Sequence, residues 1–214
     1  MATTSDRTIG RLSLYRRLLH NLQAEGVANT FSHQLAHLAG VTPAQVRRDL
    51  MAIGYSGTTK RGYEVPELAT SIGQFLDVAH GQGVALVGVG NLGRAILSYF
   101  AGRRPNLAIE AAFDTDPYKF NRVIHGCHCY SMDELPRIIK EQDIRVAIIT
   151  VPAGAAQHVA DALVAAGVRG IVNFAPTRLR VPPPTYVEDI DMTVSLEKVA
   201  FFARKGAPQK EART

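Results

Sequence analysis

The chain has no run of about 18 apolar residues and no apolar leader at its N-terminus, so neither a membrane-crossing helix nor export is expected and the cytoplasm is the expected location. Cysteine is almost absent. The two present, Cys127 and Cys129, lie in His125-Gly-Cys-His-Cys129; the spacing matches no common zinc pattern, and thiols so close along the chain are poorly placed to bond to each other. A loop or short strand with reduced thiols is expected there, with no metal. Net charge is missing from most of the chain: residues 64–214 hold 16 basic and 16 acidic side chains. What remains is a chain of 214 residues, 46% hydrophobic, enough for one large or two small domains with a buried core.

The overall charge of +5 therefore belongs to residues 1–63, where Arg7, Arg11, Arg16, Arg17, Arg47, Arg48, Lys60 and Arg61 face only Asp6, Glu25 and Asp49. That is the footprint of a phosphate-binding module. Periodicity in the same segment predicts helices. Ile9, Leu12, Tyr15, Leu19 and Leu22 recur at three- and four-residue steps until Gly26. A second helix is expected from the cap Ser32, with Leu35, Ala36 and Leu38 inward, to Gly40; a third has Thr42 as N-cap, Pro43 in its first turn and Gly54 past its end.

On the third helix Val46, Leu50 and Ile53 make one apolar stripe, leaving Ala44 and Arg48 opposite and Gln45 and Arg47 flanking. This is the layout of a recognition helix in a helix-turn-helix: glutamine can pair with adenine, arginine with guanine, and a small alanine lets the helix approach the groove. Gly57-Thr-Thr-Lys60-Arg61-Gly62 follows as a glycine-bounded basic turn suited to the wing of a winged helix. The expected DNA contacts are thus Thr42, Ala44, Gln45, Arg47, Arg48, Lys60 and Arg61. Asp49, a negative charge near the buried edge, is expected to pair with an arginine of the same chain. Pro66 opens a further helix, with Leu68, Ile72, Phe75 and Leu76 on one side, read as a linker ending at His80-Gly-Gln-Gly83.

Beyond it, the apolar strand Val84 to Val87 runs into Gly88-Val89-Gly90-Asn91-Leu92-Gly93, a helix is expected from Leu92 to Phe100, and the strand Ile109-Glu-Ala-Ala-Phe-Asp114 ends in an acid. Strand, glycine triplet, helix, strand and acid in this order form a dinucleotide-binding fingerprint. The glycines serve a sharp turn, close approach to a pyrophosphate and helix packing; the carboxylate would accept ribose hydroxyls and repel a 2′-phosphate, which favours NAD(H) over NADP(H). A capping box at Ser131-Met-Asp-Glu134, a strand Arg145–Val151, a helix Ala153–Ala166 and a strand Gly170–Phe174 continue the alternation, and alternation argues a parallel sheet covered on both faces. Thr150, Val151 and Pro152 lie just past a strand's carboxyl end and are expected at the nicotinamide. A last helix, about Asp189 to Arg204, carries apolar residues on two sides, Met192, Leu196, Val199 and Ala203 on one and Ile190, Val194, Phe201 and Phe202 on the other. Two apolar sides call for burial on both, which packing between two subunits of a dimer would supply. Residues 205–214 are polar and expected to be disordered.

Over Arg7 to Phe202 the residues resemble the Rex family of redox-sensing transcriptional repressors. Val46-Arg-Arg-Asp-Leu50 with the Gly54 to Gly62 wing, Gly88 to Gly93, Phe113-Asp-Thr-Asp116, Thr150-Val-Pro152, Asn173-Phe-Ala-Pro176 and Val187-Glu-Asp-Ile-Asp191 stand in the family's order. The resemblance implies an α/β protein: a winged helix-turn-helix over 1–80, a Rossmann-like NAD(H) domain over 81–186, and a C-terminal dimerisation helix over 187–204 swapped into the partner of a homodimer. It implies NADH and NAD+ as ligands and palindromic operator DNA as partner, NADH releasing the protein from operators of respiratory and fermentative genes, with Arg17, Tyr99 and Asp191 linking the two states. Met192 departs from an aromatic residue found there in some members. Two rival classes share the glycine loop, an NAD-dependent dehydrogenase using His125, His128 or His158 as acid-base group and a CoA-binding subunit of an acyl-CoA ligase. Neither explains the basic first 63 residues.

Overall fold

In the computed structural model, which describes residues 4–58, 60–77, 81–103 and 107–205, the amphipathic spacing of the first segment becomes helix α1, Asp6–Ala24, with Leu12, Tyr15 and Leu19 fully buried. Its cap is Ser5, whose Oγ accepts the Thr8 N–H at 3.3 Å. Helix α2 spans Ser32–Ala39 and α3 Pro43–Ala52. Ser32 is the first residue of α2 rather than its cap. Phe31 holds the cap position, and its N–H is taken by Gln34 Oε1 at 2.8 Å. Leu38 faces out, 48% exposed, because the inward stripe of this short helix is filled by Leu35 and Ala36. Thr42 caps α3 as expected, its Oγ1 accepting from Gln45 N at 3.2 Å.

Strands β1 (Asn29–Thr30) and β2 (Tyr63–Glu64) pair antiparallel, and between α3 and β2 the chain turns back on itself through a Thr58–Gly62 bridge. Helix α4, Val65–Leu76, is not a linker. Val65, Leu68, Ala69 and Ile72 belong to one buried cluster with the stripes of α1, α2 and α3. Burial of that stripe is what holds the helix in the N-terminal unit; Phe75, expected inward, is 41% exposed. His80, where the linker was to end, lies outside the described residues.

The chain divides into two compact units, Met1–Ala79 and His80–Thr214. Among the described residues the second holds a seven-stranded sheet in the order β5-β6-β4-β3-β7-β8-β9, made of β3 (Val84–Val87), β4 (Ile109–Asp114), β5 (Arg122–Ile124), β6 (Cys127–Ser131), β7 (Val146–Ile149), β8 (Gly170–Asn173) and β9 (Tyr186–Asp189). All neighbours are parallel except the hairpin β5–β6. Alternate residues feed opposite faces: Ala85, Val87, Ala111 and Phe113 meet helices α6 (Leu135–Glu141) and α7 (Ala153–Ala166), while Val84, Leu86 and Ala112 meet α5 (Asn91–Phe100). The Ser131 capping box begins a 3-10 turn, Met132–Glu134, ahead of α6. The expected strands Arg145–Val151 and Gly170–Phe174 are shorter at their ends.

One feature of the C-terminal stretch differs from expectation. Tyr186–Asp189 is an edge strand in register with β8, so the final helix, α8, begins at Met192. Along α8 every side chain described is exposed, Met192 at 60%, Leu196 at 69% and Phe202 at 67% among them. Among the described residues both apolar sides of α8 remain largely exposed. Residues 206–214 of the expected tail lie outside the described residues, and Lys205 ends α8. No helix among the described residues is long and apolar enough to cross a membrane.

Candidate nucleotide cleft and nucleic-acid interface

The carboxyl ends of β3, β4, β7 and β8 open into one cleft of about 730 Å³. The sheet order reverses beside β3, and such a reversal point is where open α/β sheets bind ligands. Gly88 turns the chain out of β3 with φ +99°, a conformation open to glycine, and a Cβ there would press within 2.9 Å of the Thr150 carbonyl oxygen. Gly93 is tied to the same turn: a Cβ on it would run into the Gly88 carbonyl oxygen. Thr150 closes the arrangement, its Oγ1 donating to Gly88 O at 2.6 Å and to Val87 O at 3.1 Å. Gly90 stands at the N-cap of α5 and supplies no side chain to its first turn. The amides of that turn are left for an anion.

Asp114, 8% exposed, ends β4. Its Oδ2 accepts the Val89 N–H at 2.7 Å and lies 3.2 Å from Lys119 Nζ; its Oδ1 accepts the Asp116 N–H at 2.9 Å. The carboxylate thus braces the glycine turn while facing the cleft. Of the residues expected at a nucleotide, Gly88, Gly90, Asn91, Leu92, Asp114, Thr150, Val151 and Pro152 line the cleft; Val89 is buried behind it and Gly93 packs beneath the turn. Sequence reasoning missed Asp116, Lys119, Met132 and Phe174 in its walls. Phase along the chain could have found Phe174, which follows β8 as Thr150 follows β7. Met132 likewise follows β6, and Asp116 and Lys119 are brought in by the turn beyond β4. His158 also lines the cleft, whereas His125 sits in the β5–β6 turn and His128 leans on Tyr130.

Cys127 and Cys129 are buried in β6 as free thiols. Burial pushes Cys127 up to about 12 and Cys129 to about 11. Both stay protonated at neutral pH and neither is a ready nucleophile.

In the N-terminal unit the outer face of α3 presents Ala44, Arg47 and Arg48, all exposed. Arg47 Nη1 donates to Ser32 Oγ on α2 at 3.0 Å. Gln45 does not stand free. Its Nε2 donates to Asp49 Oδ1 at 2.8 Å, so pairing with a base would have to use the rest of the amide or release it. Asp49, 2% exposed, also takes Arg11 Nε and Nη2 at 2.6 and 2.7 Å and the Tyr15 hydroxyl at 3.0 Å. Burial pushes its carboxyl up, but the hydrogen bonds from Arg11, Gln45 and Tyr15 outweigh that and hold it below the usual range. Lys60 and Arg61 are exposed in the Thr58–Gly62 turn.

The residues that the resemblance names as a switch belong to three different helices or their caps. Arg17 is exposed on α1 of the N-terminal unit. Tyr99, 59% exposed on α5, has the Arg103 guanidinium 4.7 Å over its ring. Asp191 caps α8, its Oδ1 accepting Val194 N–H at 3.0 Å.

Comparison with known proteins agrees with this division. A family model described as "Putative DNA-binding protein N-terminus" matches residues 3–50, and one described as "CoA binding domain" matches residues 81–177. The chain is 42% identical over 200 residues to the redox-sensing transcriptional repressor Rex of Rhodopirellula baltica, covering 94% of this chain and 84% of the relative. Crystal structures of RSP, a Rex-family repressor, are 30% identical: the complex with β-NADH has a TM-score of 0.84 with 96% of each chain covered, and the complex with β-NAD+ and operator DNA has 0.87 with 96% of this chain and 94% of that one. With that identity along nearly its whole length, the chain belongs to the Rex family of redox-sensing transcriptional repressors.

Proposed function

We propose that this protein is a DNA-binding repressor that senses the balance of NADH and NAD+, with NADH releasing it from a palindromic operator. The observation that carries the reading is the cleft at the carboxyl ends of the strands, where the nearly buried Asp114 receives the Val89 amide beside the open first turn of α5, in a chain whose other unit presents Arg47 and Arg48 on one helix face. The solved complexes of RSP, with β-NADH and with β-NAD+ and operator DNA, support the same ligands here. The family is one of regulators, and turnover of the nucleotide is no part of the function.

In this reading the N-terminal unit is a winged helix. Thr42 starts the recognition helix, Ala44 admits it to the groove, Arg47, Arg48 and Gln45 meet base edges or phosphates, and Lys60 and Arg61 form the wing. Gly88 to Gly93 and the amides of α5 hold the pyrophosphate, Asp114 the adenosine ribose, and Thr150, Val151 and Pro152 the nicotinamide end. The uncovered apolar sides of α8 support a homodimer in which this helix packs on the partner chain. NAD+ differs from NADH by a positive charge on the nicotinamide, so the two can favour different dimer states, and only such differential affinity shifts an equilibrium between states. The test is a titration of the protein on a labelled palindromic duplex, at one salt concentration, with NADH or NAD+. Release by NADH alone is expected; equal binding with both nucleotides would overturn the sensing role.

A further inference from the structure

Lys119 sits where the nucleotide cleft ends in acid. Asp114, Asp116 and Lys119 all line the cleft just beyond β4, with Lys119 Nζ 3.2 Å from Asp114 Oδ2 and 3.5 Å from Asp116 Oδ2. Its side chain is 26% exposed, against 8% for Asp114. The corner thus holds two carboxylates and one ammonium and carries a single net negative charge.

A lone carboxylate at this point would reject a 2′-phosphate by repulsion. Here the same carboxylate also restrains a cation. An ammonium is a compact point charge on a long flexible stem, with three donors and an ability to bind phosphate from several directions. The geometry points to Lys119 as a specificity-determining residue of the cleft: a latent ligand for a 2′-phosphate, kept on Asp114 and Asp116 as long as Asp114 is ionised. With Asp114 charged, Lys119 neutralises a nearly buried carboxylate and leaves the corner negative, which suits a ribose with free hydroxyls. With the Asp114 charge removed, the corner becomes neutral, the ammonium loses its nearer partner, and a group carrying roughly −1.5 to −2 charge finds a cation in reach.

This inference rests on the proposal that Asp114 meets the adenosine ribose, and the experiment separates the two. NADH and NADPH are titrated by calorimetry into the full chain and into Asp114→Asn, Asp114→Ser, Lys119→Met and Asp114→Asn/Lys119→Met. Both Asp114 substitutions retain an oxygen that can accept the Val89 N–H, and circular dichroism of each checks that the fold is kept. The wild type is expected to prefer NADH. Either Asp114 variant should lose NADH affinity and gain NADPH affinity by about tenfold, the scale of one hydrogen bond to a charged group, and Lys119→Met should erase that gain in the double variant while leaving NADPH rejected when made alone. A loss of NADH affinity with no gain for NADPH, or a gain that survives without the lysine, would overturn the role of Lys119 while leaving the ribose site standing. Unchanged NADH affinity in both Asp114 variants would bring down the ribose assignment and the inference together.

Discussion

Asp49 illustrates how one side chain can serve stability and recognition at once. It joins α1 to α3 through Arg11 and Tyr15 and holds the amide of Gln45, whose side chain would otherwise lie open on the face proposed for DNA. Since the carboxyl is held below its usual range in the folded protein, its contribution is present above about pH 3.9, the unfolded value, and is lost as pH falls through the folded one. Asp49→Asn should therefore destabilise the N-terminal unit at pH 7 by roughly 2–4 kcal/mol, below the full cost of breaking a buried pair because Arg11 is partly solvated. Chemical denaturation of both proteins from pH 7 down to pH 3 checks this: the gap should narrow on acidification, and a constant gap would mean that charge is not what Asp49 contributes. Arg48 is a separate matter, exposed and turned away from the core. Arg48→Ala is expected to weaken operator binding by about 1–3 kcal/mol if it reads a base, and to weaken all duplexes alike if it holds a phosphate. Anisotropy on operator and scrambled duplexes tells these apart, and unchanged affinity on both would remove α3 from the interface.

Among the elements, α4 and α8 show how similar apolar spacing leads to different fates. Both carry stripes at helical period. In α4 the stripe closes the core of the N-terminal unit with α1, whereas α8 leaves Met192, Val194, Leu196, Val199 and Phe202 exposed. An uncovered run of that kind marks an interaction surface. Deleting the chain after Asp189 retains β9, which pairs with β8, and removes α8 together with its cap Asp191 and residues 206–214. Analytical ultracentrifugation should find the full chain dimeric and the truncated chain monomeric; a truncated chain that stays dimeric would place the interface elsewhere. The Thr58–Gly62 turn depends on glycine in a similarly local way. Gly62 has φ +68°, and a Cβ there would collide with the Thr30 carbonyl oxygen, so the basic turn and the β1–β2 pairing constrain the same residue.

At the scale of the whole molecule, the proposed switch requires a nucleotide in one unit to bias DNA binding by the other. Asp191 is one of the three residues, with Arg17 and Tyr99, that the family resemblance offers for this role, and the structure adds that it caps α8. Asparagine caps a helix nearly as well as aspartate, so Asp191→Asn removes the charge and keeps the cap. If the charge takes part in the switch, the ratio of operator dissociation constants with and without saturating NADH should shrink by about 1–3 kcal/mol of coupling while the dimer persists. An identical ratio in the two proteins would leave Asp191 with capping alone.

Much of this was legible before folding because it is written within a few residues. The Thr42 cap, the stripe of α3, the turn at Gly88 and the bounds of α7 follow from steric rules and helical period, which act between near neighbours. The sequence by itself determined the three helices ahead of the basic turn, the alternation of strands and helices that follows Val84, the dinucleotide fingerprint ending at Asp114, and the basic N-terminal segment. Only the tertiary structure decided that Gln45 is held by Asp49, that α4 is core rather than linker, that Tyr186–Asp189 adds an edge strand, and that Lys119 faces Asp114 in the cleft. The second and third depend on which partner an apolar stripe or a free strand edge finds at long range, and the first, a contact between neighbours on α3, on a carboxylate held from α1 by Arg11 and Tyr15. Lys119 is close to Asp114 in sequence, yet its placement depends on a turn beyond β4 that follows neither helical nor strand period, so no regular spacing marks where its charge will point.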